Sequence, residues 1–152
     1  MKIITQNKKA LHDYHIIDQL EAGIVLSGDE VKSIRAGHVN LSGSFAHITD
    51  NELFLVNCHI TPYDKAYDKN RYNDEYATRR RKLLVHKRQL NNIMSDIARQ
   101  GITVVPLKMY FKEGRVKVDL GIAKGKKQAD KREAIKERDI KRDAAREIRG
   151  RN

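Results

Sequence analysis

The sequence predicts a mainly β domain with flanking helices, folded as a small antiparallel barrel, followed by a tail that is disordered when free. Three observations carry this. Short runs alternate apolar and polar residues and join through tight turns, as in "ITVVPLKMYFKEGRVKVDLGIA" at 102–123. Only the stretch 81–101 holds a long helical periodicity. From Lys124 to Asn152 the chain has twelve Lys or Arg, six Asp or Glu and no aromatic residue.

Taken in order, residues 1–13 are polar and read as loosely held. "YHIIDQLEAGIVLSG" (14–28) alternates and carries β-branched residues, which predicts a strand with a bulge at Ala22–Gly23. "GDEVKSIRAG" (28–37) is bounded by glycines, with Val31 and Ile34 three apart. It reads as a short helix, with Asp29 and Arg35 at the ends where their charges oppose the helix dipole. "NLSGSFAHI" (40–48) and "ELFLVNCHI" (52–60) alternate about "TDNE" and predict a hairpin. Residues 61–81 hold four of the six tyrosines and almost no aliphatic residue, a long surface loop. "RKLLVHKRQLNNIMSDIARQG" (81–101) places Leu83, Leu84, Leu90, Ile93, Met94 and Ile97 near one helical face, stopped by Gly101. Residues 102–123 form a second hairpin turning at Glu113–Gly114. Five or six short strands with one good helix and one short one, joined mostly by hairpins, point to an OB-type barrel, a frequent binder of RNA. There is no internal repeat.

A chain of 152 residues holds one domain with a real core. The expected division is 1–123 for the barrel and 124–152 for the tail. The net charge is +11, of which residues 1–123 carry only +5, from 19 basic and 14 acidic side chains. Such a balance calls for a polyanionic partner, and nucleic acid is the commonest. A membrane surface is the weaker choice, because Trp, a long apolar run and a lipidation motif are all missing. "MKIITQNKKALHDY" has no apolar core of signal-peptide length, and the lone Cys58 excludes an internal disulfide; both fit the cytoplasm.

Enzyme chemistry finds little support. His12 and His15 have no neighbouring Cys or second pair, so no metal site is expected. Cys58 lies in an apolar strand, where a thiol is inert. "GIAKGKK" is too short for a phosphate-binding loop and lacks the Ser or Thr that holds magnesium. No cofactor and no small-molecule substrate are expected. Glu30 and Lys32 in "DEVK" form the acidic-x-Lys pair of metal-dependent nucleases. The competing reading is a solvated helix face carrying an ion pair.

The basic runs are more informative: "NKKALH" with Asn7, Lys8 and Lys9, "RRRK" with Arg81 and Lys82, and "HKR" at 86–88. Lys108, Tyr110 and Lys112 share one strand face. Lys and Arg neutralise phosphates, and a tyrosine ring stacks on a base or ribose. In the tail, Glu137–Lys141 and Glu147–Arg151 stand four apart and Glu133–Lys136 three apart, each worth about 0.2–0.5 kcal/mol on a helix. Ile140, Ala144 and Ile148 make a thin stripe. That cannot offset ordering at roughly 1–2 kcal/mol per residue. The tail is expected to fold only in a strongly negative environment, or to serve merely as a solubilising appendage.

"EAGIVLSGDEVKSIRAGHVNL", "RKLL", "PLKMYF" and "LGIAKGKKQADKREAIKERD" resemble the signature stretches of the SmpB, or SsrA-binding, family, in order and over almost the whole chain. The resemblance implies an OB-type barrel that binds transfer-messenger RNA (tmRNA) and acts in ribosome rescue by trans-translation. It further implies that one barrel face grips the elbow of the tRNA-like part, in place of the missing anticodon arm. Elongation factor Tu is implied to belong to the same complex. The tail is implied to become helical in the empty mRNA channel, past the decoding centre of the small subunit. Asn7, Lys8, Glu21, Lys32, Arg35 and Leu84 fall in motifs of the RNA-binding face, with Leu84 supporting it from the core. Gly125, Lys126, Lys127, Asp130, Lys131 and Arg132 match the decoding-centre segment. Ala129 departs from the His or Tyr that many relatives carry before "DKR", so no stacking contact is available there. A general RNA chaperone or translation-factor-like protein with an OB-type barrel stands second, and the metal-dependent nuclease third.

Overall fold

A computed structural model describes residues 1–62 and 74–126. The elements run β1 Lys2–Gln6, α1 Lys8–Asp13, β2 Tyr14–Ile24, α2 Gly28–Arg35, β3 Val39–Asn40, β4 Phe45–Thr49 and β5 Glu52–Val56. They continue with β6 His59–Ile60, α3 Asp74–Ala77, β7 Arg81–Leu84, α4 Lys87–Ala98, β8 Ile102–Lys112 and β9 Arg115–Gly125. All strand pairs are antiparallel. Strands β8, β4, β5, β7, β2 and β9 pair in that order, and β9 pairs back onto β8, so the sheet closes as an OB-type ring. β1 adds to β8 from outside the ring, and β3 pairs with β6 in a small separate ribbon.

Local chemistry sets these elements. Both hairpins turn through two residues of positive φ, Asp50 (51°) with Asn51 (59°) and Glu113 (53°) with Gly114 (75°). That is the turn whose twist matches the flanking strands. Ser27 caps α2: its Oγ accepts the Glu30 N–H at 3.2 Å while the Glu30 carboxylate accepts the Ser27 N–H at 2.9 Å. This reciprocal pair satisfies two amides that a helix start otherwise leaves open. Alternation then sends Leu53 and Leu55 of β5, Leu83 of β7, Val104 and Met109 of β8 and Val118, Leu120 and Ile122 of β9 into one core. Ile34 from α2 and Ile93 from α4 plug it from outside the ring.

Several expectations need correction. Residues 1–13 are not loose; β1 finds hydrogen-bond partners on β8, a strand about a hundred residues away. Residues 81–84 form a strand rather than the start of the long helix, because β5 and β2 flank them and leave open edges that β7 completes. The irregularity in β2 falls between Ile16 and Asp18, not at Ala22–Gly23. Part of the expected loop is the short helix α3, and among the described residues there are nine strands. Met94 points outward, 37% exposed, while Leu90, Ile93 and Ile97 make the buried side of α4. β9 runs two residues past the expected boundary, to Gly125.

Candidate nucleic-acid interface

The outward side of the ring carries the candidate site. Met109 is buried in the core, so its neighbours Lys108 and Tyr110 face out, and Lys112 follows them. On β9, Lys117 and Asp119 stand between the buried Val116, Val118 and Leu120. Register aligns them across strands. Lys108 lies opposite Asp119, and Asp119 opposite Glu21 of β2; Tyr110 lies opposite Lys117, and Lys117 opposite Gly23, which faces Leu84 of β7. Gly23 has no side chain to fill this row. A Cβ there would sit 3.3 Å from the Leu84 Cβ, so the glycine lets Leu84 lie close across the sheet. The result is a groove of about 350 Å³ lined by Glu21, Gly23, Lys117, Leu84, His86 and Gln89.

Glu21 is the focus. The Tyr110 phenol donates to its carboxylate, and Lys112 Nζ lies 3.3 Å from the same oxygen. The Tyr110 bond holds the Glu21 carboxyl below its ordinary range; burial opposes it, and Lys112 and Lys117 add to the lowering. Burial raises the Tyr110 phenol, and so does its bond to Glu21. Burial likewise raises Asp119; Lys108 opposes this and Glu21 adds to it. An ionised carboxylate only accepts hydrogen bonds, so among basic groups Glu21 suits the N–H groups of a base edge or a ribose hydroxyl. Lys108, Lys112 and Lys117 beside it suit phosphates. Leu84 is 51% exposed, an apolar patch at the edge of the groove, and is not the core support expected from the sequence.

The other expected residues are spread more widely. Lys32 and Arg35 are exposed on α2, and the Arg35 guanidinium lies 5.6 Å from the Phe111 ring centre, next to Lys112 in the chain. Lys8 and Lys9 are exposed on α1, but Lys9 lines a different groove, with Tyr14, Ser44 and Phe45. Lys82 is exposed on β7 opposite Phe54 and pairs with Glu52 at 3.2 Å. Lys117, Asp119 and Gln89 complete the face without having been singled out in the sequence, together with His86 from the basic run at 86–88. The alternation "VKVDL" was the signal for the first two.

Three expected contacts are corrected. Asn7 is 3% exposed; its Nδ2 donates to the Leu41 and Pro106 carbonyls at 3.2 and 2.8 Å, and its Oδ1 accepts the Ala10 N–H. It caps α1 and ties it to β8, and both amide hydrogens are used there. Arg81 is 0% exposed: Nε meets Glu30 at 2.6 Å, and the other nitrogens reach the carbonyls of Cys58, Tyr76 and Ala77. A phosphate cannot reach it. Tyr110 is 4% exposed, so its ring does not stack on a base; only its hydroxyl works at the surface.

The nuclease reading of Glu30 also fails. Burial pushes its carboxyl up, but the Ser27 N–H, Arg81 and Arg79 outweigh that and hold it below the ordinary range. The group is an internal ion-pair partner, 2% exposed. Among the described residues no cluster of three or more His, Cys, Asp or Glu could hold a metal, and no helix is long and apolar enough to cross a membrane. Cys58 is buried and its thiol is pushed up to about 11, chiefly by burial. Of the tail residues, Gly125 ends β9 opposite Tyr14, and the Lys126 N–H donates to the Asp13 carbonyl at 2.8 Å. Lys127, Ala129, Asp130, Lys131, Arg132 and Ile140 lie outside the described residues.

The SmpB protein family model matches residues 4–150. The chain belongs to the SmpB family. The SsrA-binding protein of Shouchella clausii is 52% identical over 150 residues, covering 99% of this chain and 94% of that one. That of Carboxydothermus hydrogenoformans is 54% identical over 147 residues, covering 97% and 93%. A chain from the structure described as "tmRNA-SmpB: a journey to the center of the bacterial ribosome" superposes with a TM-score of 0.66 at 47% identity, covering 86% of this chain and 93% of that one. Membership of the SmpB family thus extends through the barrel and into the charged tail.

Proposed function

We propose that this protein binds tmRNA through the outward face around Glu21 and brings it to stalled ribosomes, acting in the cytoplasm as an RNA-binding protein without catalytic activity of its own. The observation that carries the reading is the combination of nearly full-length family membership with an acceptor carboxylate set among lysines on one barrel face. In this reading Glu21 takes hydrogen bonds from the RNA, Lys108, Lys112, Lys32 and Arg35 meet its phosphates, and Leu84 covers a base. The barrel occupies the place of the anticodon arm that the tRNA-like part lacks. Elongation factor Tu joins the same complex. Residues 127–152, with Lys127, Asp130, Lys131, Arg132 and Ile140, enter the empty mRNA channel beyond the decoding centre.

Affinity capture of the full chain followed by sequencing of the bound RNA tests this. One abundant structured RNA, with the tRNA-like portion protected from nuclease, is the expected result. A broad mixture of transcripts would favour a general RNA chaperone instead.

A further inference from the structure

Tyr110 has the position of a stacking residue and none of the exposure. Its ring is 4% exposed, while Glu21, to which its hydroxyl donates, keeps a side chain 39% exposed. Ile3 of β1 and Lys117 of β9 flank Tyr110 across the sheet, and Lys108 Nζ lies 5.8 Å from the ring centre, so the ring is covered while its hydroxyl reaches Glu21. Glu21 needs such a partner. Asp119 stands directly opposite it on β9, and like charges opposite one another in a sheet repel.

We propose that Tyr110 is a positioning residue of this interface: its phenol holds the Glu21 carboxylate in one orientation, leaving the free lone pairs to accept hydrogen bonds from the RNA. The inference rests on the reading of this face as the tmRNA-binding surface. It deepens that reading by assigning Tyr110 to the orientation of the acceptor and not to contact with a base. Among the described residues, the charged or titratable groups around Glu21 on this face are Tyr110, Lys112 and Lys108 from β8, Lys117 and Asp119 from β9, and His86 from the start of α4 across the groove. The lysines favour the ionised carboxylate and Asp119 opposes it. Tyr110 supplies the largest of the lowering influences and is the buried side chain among those groups. Affinity should therefore be present when Glu21 is ionised and fall as pH drops through its depressed titration. Without the phenol the carboxyl titrates higher, so the fall begins at higher pH.

The test is equilibrium binding of the full-length chain to the tRNA-like part of tmRNA at constant salt, across the acid range, for wild type, Tyr110→Phe, Glu21→Gln and the double variant. Glu21→Gln supplies the profile of the RNA's own titration. Tyr110→Phe should bind about threefold to tenfold more weakly near neutral pH, the size of one hydrogen bond, with its acid limb displaced upward. In the Glu21→Gln background the same change should be silent. Equal weakening in both backgrounds, or an unchanged profile, overturns the inference and leaves the interface standing. Undiminished binding by Glu21→Gln overturns the interface reading and the inference with it. NMR titration of the Glu21 carboxyl in the free wild-type protein gives an answer even if Tyr110→Phe folds poorly: an ordinary midpoint overturns the proposal.

Discussion

Replacing Arg81 by Met separates a structural arginine from an RNA contact. The guanidinium is fully buried and is bonded to Glu30, itself 2% exposed, and to three carbonyls. Met fills much of the space but leaves Glu30 with only the partly exposed Arg79 and the Ser27 amide. Breaking a buried pair from one side costs about 3–5 kcal/mol, because the remaining charge stays desolvated. Against a total stability of about 5–15 kcal/mol the domain should still fold at low temperature. A loss of that size lowers the melting temperature by roughly 10–15 °C for a domain of this length. Acid sensitivity should change as well. Glu30 titrates low in the folded protein, so its stabilisation is present above the unfolded carboxylate value and lost as pH falls through the folded one. With Arg81 gone, burial pushes Glu30 up, and acid unfolding should begin at higher pH. Circular-dichroism melts across pH, paired with tmRNA binding well below the melting point, are the assay. Affinity within about twofold of wild type is expected, in line with an uncontacted site. A variant that melts like wild type but no longer binds would refute the buried account.

Other expectations follow from the same geometry. Arg35→Ala or Lys8→Ala should weaken tmRNA binding and reduce the slope of log affinity against log salt by about one per lost phosphate contact, whereas Glu21→Ala should weaken binding without flattening the slope; identical slopes for all would exclude those phosphate contacts. Cys58→Ala should cost about 1 kcal/mol of stability with RNA binding intact. In the native wild type the thiol should react with a thiol reagent far more slowly than after denaturation, since burial holds it protonated; fast native labelling would contradict this. A chain ending at Lys126 keeps all of β9 and the Asp13 contact, and should fold and bind tmRNA while failing to support peptide transfer on a stalled ribosome. Proline at Ile140 and Ala144, costing about 3 kcal/mol per helical site at unchanged charge, should also abolish rescue; normal rescue would mean that the tail acts as a diffuse tether.

How much of this was legible depends on the range of the determining contacts. The β8–β9 hairpin and α2 were readable because their signals are local: alternation about Glu113–Gly114, and a polar start before Val31 and Ile34. β7 was not, because Leu83 and Leu84 fit the helical face of Leu90 and Ile93 as well as they fit a strand. The choice was made by the strand edges of β5 and β2. Arg81 read as one more basic residue in "RRRK", since its partner Glu30 lies 51 positions away. Asn7 was misread for the same reason, its Pro106 contact spanning 99 positions. Tyr110 illustrates the middle case. Period-two alternation placed it on the outward face, but which part of the side chain is exposed depended on β1 and β9 beside it and on Glu21 of β2.

The central claim, that tmRNA lies on the outward face of β2, β9 and β8, is tested most directly by lysine footprinting. The full-length protein is acetylated briefly in the presence and absence of saturating tRNA-like RNA, and each lysine is read by mass spectrometry. Lys108, Lys112 and Lys117 should be protected by that RNA and not by an equal mass of unstructured RNA. Unchanged reactivity at all three lysines while the RNA is fully bound would place the interface elsewhere and contradict the account.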